Sequence, residues 1–246
     1  MHAIPSTPGS RPGTMPQGGR REESRAGLRR ELIGAVCFAA AVGAAVMSGP
    51  AAAYTFTLAP ASPKTIYLQV GVGTFTGGNY TNGKQQNVGQ PGNNTTVNKV
   101  STTVTSSAVG NGTPQAMTTD STATQSFLDG YTFCSVPGQL YIGGFYRTAG
   151  GTTAAAQVTA TVPTALTNAT GDTIPFSKIQ WTSSGNGDNG AEPFPAGTFV
   201  NGGVQNVGSM ASNTWNESCW TFSYLNNSVP PAGTFTGVVR YTMSSP

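Results

Sequence analysis

The sequence has little charge and almost no histidine. Asp, Glu, Lys and Arg together make up 9% of the 246 residues, and the one histidine is His2, in a Pro/Gly/Ser/Arg-rich N-terminal stretch. Beyond that stretch no side chain has an unperturbed pKa near neutrality, which removes Ser-His-Asp and Cys-His nucleophilic arrangements and the usual zinc sites. Cysteine is scarce as well, limited to Cys37, Cys134 and Cys219. No segment holds an amphipathic helical period over ten or more residues, so the expected class is all-β.

Residues 1–31 have no apolar periodicity and are not expected to fold. The run 32–47 (LIGAVCFAAAVGAAVM) is apolar, follows Arg29-Arg30, and leads into Ser48-Gly49-Pro50-Ala51-Ala52-Ala53. It is too short and too rich in Ala and Gly for a membrane span, and it reads as a signal peptide cleaved after Ala53. Arg29-Arg30-Glu31-Leu32-Ile33 fits a loose twin-arginine pattern, but Leu28 stands where a polar residue is usual, so ordinary Sec export is the simpler reading. Val36 before Cys37 is too large for lipid attachment. The expected product is residues 54–246, one exported domain of the periplasm, cell surface or extracellular space, with no membrane span of its own.

The leader takes the net charge with it. Six of the twelve basic residues and three of the nine acidic ones lie before Tyr54, which leaves six of each sign. The pI of 8.8 therefore says nothing about partners. A neutral chain with no basic cluster lacks the electrostatic footprint of a nucleic-acid binder. Cys134 and Cys219, an even pair in an exported chain, are expected to form a disulfide, which closes a loop contributing roughly 4 kcal/mol at most through chain entropy.

What remains is Thr, Val, Gly, Asn and aromatic residues in short alternating runs. Tyr54-Thr55-Phe56-Thr57-Leu58 alternates before Pro60 and Pro63 break the run, and 65–73 places Ile66, Leu68, Val70 and Val72 on one face. Segments 97–105, 131–134, 139–148, 154–162, 178–182 and 219–224 are also strand-like, whereas 77–94 and 110–125 read as long polar loops. The last run, 234–243, puts Phe235, Val239, Tyr241 and Met243 on one face. It is expected to close a sandwich. The architecture implied is an antiparallel β-sandwich with long polar loops.

Few residues suggest chemistry. Asn186, Asp188 and Glu192 space oxygen ligands as in a calcium loop but lack the leading Asp and terminal bidentate Glu, so a Gly/Asn turn is the plainer reading and no cofactor is expected. As a glycosidase pair, Asp188 and Glu192 share one loop with no further acid nearby. Trp215, flanked by polar residues, could stack on a sugar or belong to the core. Asn-x-Ser/Thr strings at Asn79, Asn93, Asn94, Asn111, Asn168, Asn216 and Asn226 arise readily in so Thr/Ser/Asn-rich a chain. The low charge of the strand surfaces suits a subunit whose faces and edges are covered by neighbours.

The signal peptide, the alternating strand at Tyr54, the single disulfide, the low-charge sandwich and the terminal Pro231-Ala232-Gly233-Thr234-Phe235-Thr236-Gly237 together resemble the secreted fimbrial proteins of the chaperone-usher type. Within that group the chain is most similar to the spore coat protein U branch, whose members end in a comparable Ala-Gly-Thr-Tyr/Phe-Thr strand. The resemblance implies an incomplete immunoglobulin-like, pilin-like sandwich with a groove filled by a strand from a periplasmic chaperone and then from the next subunit. On this pattern Tyr54, Phe56 and Leu58 would be donated, and Phe235, Val239, Tyr241 and Met243 would lie beside the groove. Two departures are the early prolines Pro60 and Pro63, and the Ser244-Ser245-Pro246 ending where pilins usually have an aromatic residue. The function expected is a non-enzymatic cell-surface structural or adhesive protein. The alternative is a self-contained carbohydrate-binding module using Trp215.

Overall fold

Alternating Thr/Val/aromatic runs favour extended backbone because β-branched and aromatic side chains pack well on a pleated surface. In the computed structural model, which describes residues 55–81, 84–92, 96–150, 154–185 and 192–246, these runs form sixteen strands. The first seven are β1 (Thr55–Leu58), β2 (Thr65–Val70), β3 (Phe75–Thr81), β4 (Lys84–Pro91), β5 (Val100–Ser101), β6 (Gln115–Ala116) and β7 (Thr118–Thr119). Five more follow: β8 (Leu140–Arg147), β9 (Ala156–Val162), β10 (Ala165–Thr167), β11 (Thr173–Pro175) and β12 (Ile179–Ser184). The last four are β13 (Gly197–Thr198), β14 (Gly203–Met210), β15 (Thr214–Tyr224) and β16 (Arg240–Ser244). The only helical turn among the described residues is the 3-10 segment Phe176–Lys178. All described residues belong to one unit, Met47–Pro246.

The centre of the fold is β15, eleven residues long. Its residues 214–218 pair with β8 and 214–216 with β1, while 219–224 pair with β12 and 223–224 with β6. Adding β2 on β8, β4 on β1, β3 on β4 and β13 on β12 gives a nine-stranded sheet. Its pairs are antiparallel except for β1 with β4, which run parallel. A second sheet, in the order β14-β9-β16, faces it.

The two sheets share one core. Trp220, Phe222 and Tyr224 of β15 and Ile142 of β8 join Val158 and Ala160 of β9, Val207 and Met210 of β14, and Met243 of β16. Trp220 meets Trp181 at 5.3 Å and Tyr241 of the opposite sheet at 5.8 Å. Each such ring removed from water contributes roughly 2–3 kcal/mol. The other face of β15, carrying Trp215, Glu217 and Cys219, is covered by the irregular segment 120–138, whose Ala123, Phe127, Leu128, Phe133 and Cys134 pack there. Cys134 of this cover is bonded to Cys219, 85 positions away, with a Cα–Cα distance of 5.6 Å. As alternation requires, Cys219 lies on the face opposite Trp220 and Phe222.

Three expectations are corrected. Segment 77–94, expected as a loop, contains most of the β3–β4 hairpin. Segment 131–134, expected as a strand, makes only a single bridge, Gln125 to Thr132. The backbone N–H groups of Phe133 and Cys134 both donate to the Thr124 carbonyl, a local closure that takes the place of a ladder. The terminal strand is shorter than 234–243: β16 starts at Arg240, and before it only Thr236 bridges, to Thr167.

Candidate functional site

Two places combine geometry with chemistry: an open edge and a buried carboxyl. The edge is on β2. The Gly71 N–H donates to the Tyr141 carbonyl at 2.7 Å, which fixes the phase of the β2–β8 ladder. Thr65, Tyr67 and Gln69 therefore turn their backbone groups toward β8, and Ile66, Leu68 and Val70 turn theirs outward. Among the described residues no strand pairs on that outward side. β16 pairs only with β9, so it too is an edge among the described residues, and it lies beside β2. The Lys64 ammonium donates to the Pro246 carbonyl, tying the start of β2 to the chain end.

The side chains along these edges are half-covered core. Leu68, Val70, Phe235, Val239 and Tyr241 pack against the shared core while remaining partly exposed, Met243 is buried, and Ile66 is 41% exposed. A groove of about 440 Å³ follows β2, lined by Ile66, Leu68, Val70, Thr74, Gly92 and Thr96. The residues expected beside a groove, Phe235, Val239, Tyr241 and Met243, pack against the shared core, and none of them lines this groove. The proposed donors are elsewhere. Phe56 pairs with Trp215, and Leu58, 1% exposed, clusters with Phe145 and Trp215, so β1 is an interior strand of its own sheet. Tyr54 lies outside the described residues.

Trp215 is 0% exposed and offers no ring to a sugar. Its alternation partner Glu217 is equally buried. Glu217 stands opposite Gly143 of β8, which in turn stands opposite Gln69 of β2. The Tyr141 hydroxyl reaches over Gly143 and donates to Glu217 Oε2 at 2.6 Å. A methyl group at Gly143 would sit 2.3 Å from that hydroxyl, so glycine is what lets the phenol pass. Across the same face the Tyr67 hydroxyl donates to Gln69 Oε1 at 2.6 Å, and Gln69 donates to the Gly71 carbonyl. Burial pushes the Glu217 carboxyl up to about 7; Trp215, Tyr141 and Ser126 oppose this by hydrogen bonding, and the negative Asp129 adds to it. Glu217 Oε1 has no hydrogen bond of full geometry among the described residues. Burial also lifts the Tyr67 phenol to about 12 and holds Tyr141 well above its usual range, with Glu217 adding to the latter.

The weak calcium candidate is only partly visible. Asn186 and Asp188 lie outside the described residues, and the Glu192 carboxylate accepts from Ser218 Oγ at 3.3 Å. Among the described residues no three acidic, His or Cys side chains converge as a metal site, and no helix is long and apolar enough to cross a membrane. Sequence reasoning passed over Glu217, Tyr141, Tyr67 and Gln69. The available signal was alternation: read backward from Cys219, Glu217 and Trp215 share its face.

No protein-family model, no curated protein and no solved structure matches this chain.

Proposed function

We propose that the protein is an exported, non-enzymatic structural or adhesive subunit of the cell surface, similar in kind to fimbrial subunits. In this reading the sandwich is immunoglobulin-like, and it assembles with further copies or related subunits by strand addition at the β2/β16 side. The observation that carries the reading is the outward backbone of Ile66, Leu68 and Val70 beside a groove in which their side chains alternate with polar lining from Gln69, Thr74 and Thr96, an edge that an added strand satisfies with hydrogen bonds and alternate side chains. The burial of Trp215 counts against the carbohydrate-binding alternative. Because β1 sits in its own sheet, donation through Phe56 and Leu58 requires that strand to leave its slot between β15 and β4 and enter the β2 edge of a second copy.

The test is the mass distribution of residues 54–246 over a range of concentrations, for the natural chain and for Ile66→Pro. Proline at 66 removes an outward N–H and leaves the β8 ladder intact, as at a natural edge strand. Concentration-dependent oligomers that disappear in Ile66→Pro, and that a synthetic peptide of residues 54–60 disperses, are the expected result. A monomer at every concentration, or oligomers indifferent to Ile66→Pro, sinks the assignment.

A further inference from the structure

The cover over the second face of the large sheet is attached in an unusual way. Its backbone closes largely on itself between 124 and 134, with Ser126 N–H donating to the Tyr131 carbonyl, Gly130 N–H to Ser126 and Phe133 N–H to Thr124, while the Phe127 backbone bonds to Tyr141 of β8. What holds it to the sheet is the Cys134–Cys219 bond, the packing of Phe127 and Leu128 on Leu58, Phe145 and Trp215, and contacts to the Tyr141 ring, which meets Phe127 at 5.1 Å and Phe133 at 6.0 Å. The same Tyr141 carries the hydroxyl bonded to Glu217. One side chain therefore joins the docking of the cover to a carboxyl group sealed beneath it.

We propose that Glu217 makes this cover a pH-operated latch. While the carboxyl holds its proton, segment 123–134 stays docked on β8 and β15. When the proton is lost to solvent, the buried negative charge favours states in which the cover lifts about its Cys134 anchor and admits water.

The surroundings give the charge little compensation. From β8 it meets the Tyr141 hydroxyl, with the phenol of Tyr67 on β2 beyond it; from its own strand the indole of Trp215; from the cover the Ser126 side chain and Asp129. None of these is a cation. Asp129, exposed on the cover, has the same sign as ionised Glu217 and repels it. A buried ionised carboxyl without a cationic partner is costly, and water is the cheapest remedy when a neighbouring segment can move. The raised pKa agrees in direction: held at about 7 when closed and at an ordinary value once hydrated, the group favours the closed state fully below about pH 4.5. That preference is lost as pH climbs to about 7.

Amide exchange in the full-length mature chain tests the latch. Protection of Ser126, Gly130, Phe133 and Cys134, corrected for intrinsic rates, is expected to fall on the order of fiftyfold between pH 5 and pH 8, with β9 and the second half of β15 much less affected. Glu217→Gln is expected to keep slow exchange at both pH values. Asp129→Asn, at an exposed position that leaves folding intact, is expected to move the midpoint to lower pH because ionisation then meets less repulsion. Equal protection of the natural cover at pH 5 and pH 8 overturns the proposal, as does an unchanged pH response in Glu217→Gln or an unmoved midpoint in Asp129→Asn.

Discussion

The two faces of β15 are buried by different means. Trp220, Phe222 and Tyr224 look across at a second sheet within one apolar core, and Trp220 alone contacts Trp181, Phe194, Phe222 and Tyr241. Trp215, Glu217 and Cys219 look at an irregular segment held there by a covalent bond, by one shared tyrosine and by the packing of Phe127 and Leu128 on Trp215 and Phe145. Packing on the first face is apolar and needs no particular pH. The second face buries a carboxyl, and its seal depends on that group's charge. A strand covered on both sides can thus place most of its cohesion on one face and its titratable chemistry on the other.

Substitutions should separate the faces. Trp220→Ala empties the shared core and is expected to cost about 4 kcal/mol, measured by denaturant unfolding, with both sheets losing protection together. A loss confined to one sheet would break the claim of a common core. Replacing Cys134 and Cys219 with alanine removes the anchor of the second face, at a cost of about 3 kcal/mol. In that variant exchange in 120–138 should rise before exchange in β9 does; a uniform rise would mean that the cover and the sandwich open as one body.

The third contrast is in pH. The folded carboxyl of Glu217 is raised from an ordinary 4.5 to about 7, so its contribution is intact at low pH and falls away across that interval. Stability should decline by up to about 3 kcal/mol between pH 4.5 and pH 7 and then level off, apart from other groups. Glu217→Gln should flatten this slope and be the more stable chain at pH 8, while Trp220→Ala should keep the slope and lower the whole curve.

The sequence was informative where apolar residues alternate. Ile66, Leu68 and Val70 mark the face of β2 that packs toward the shared core, but the burial of Gln69 and half-burial of Tyr67 on its other face, and the position of β2 at an edge, depend on partners distant in sequence. The pairing of Cys134 with Cys219 was expected from their even count and from the expected export, and the two are bonded. The β3–β4 hairpin was hidden because its strands, FTGGNYT and KQQNVGQP, are polar on both faces, although Asn82-Gly83 between them is a hairpin signal in its own right. β14 was missed for the same reason, since GVQNVGSM reads as a turn-rich loop until β9 pairs with it. Glu217 stayed hidden because its neighbours Asn216 and Ser218 are polar too, and polarity around a carboxylate suggests solvent. Only tertiary packing on both faces of β15, the cover over Glu217 and other chain segments over Asn216 and Ser218, makes all three residues buried.

The smallest predicted effect sharpens the comparison most. Gly143 lies between Gln69 and Glu217 on the second face, where an added methyl group meets the Tyr141 hydroxyl at 2.3 Å and Glu217 Cβ at 3.0 Å. Gly143→Ala must push the phenol aside, which should cost about 1–2 kcal/mol as an overpacking effect. The displaced hydroxyl would no longer satisfy Glu217 Oε2, so the ionised carboxyl loses one of its donors and its pKa rises further. The stability difference between Gly143→Ala and the natural chain should therefore widen above pH 7, as read from unfolding curves at pH 5 and pH 8. A difference that is the same at both pH values would show that Tyr141 supports the cover through its ring alone, and would reduce the second face to packing of the same kind as the first.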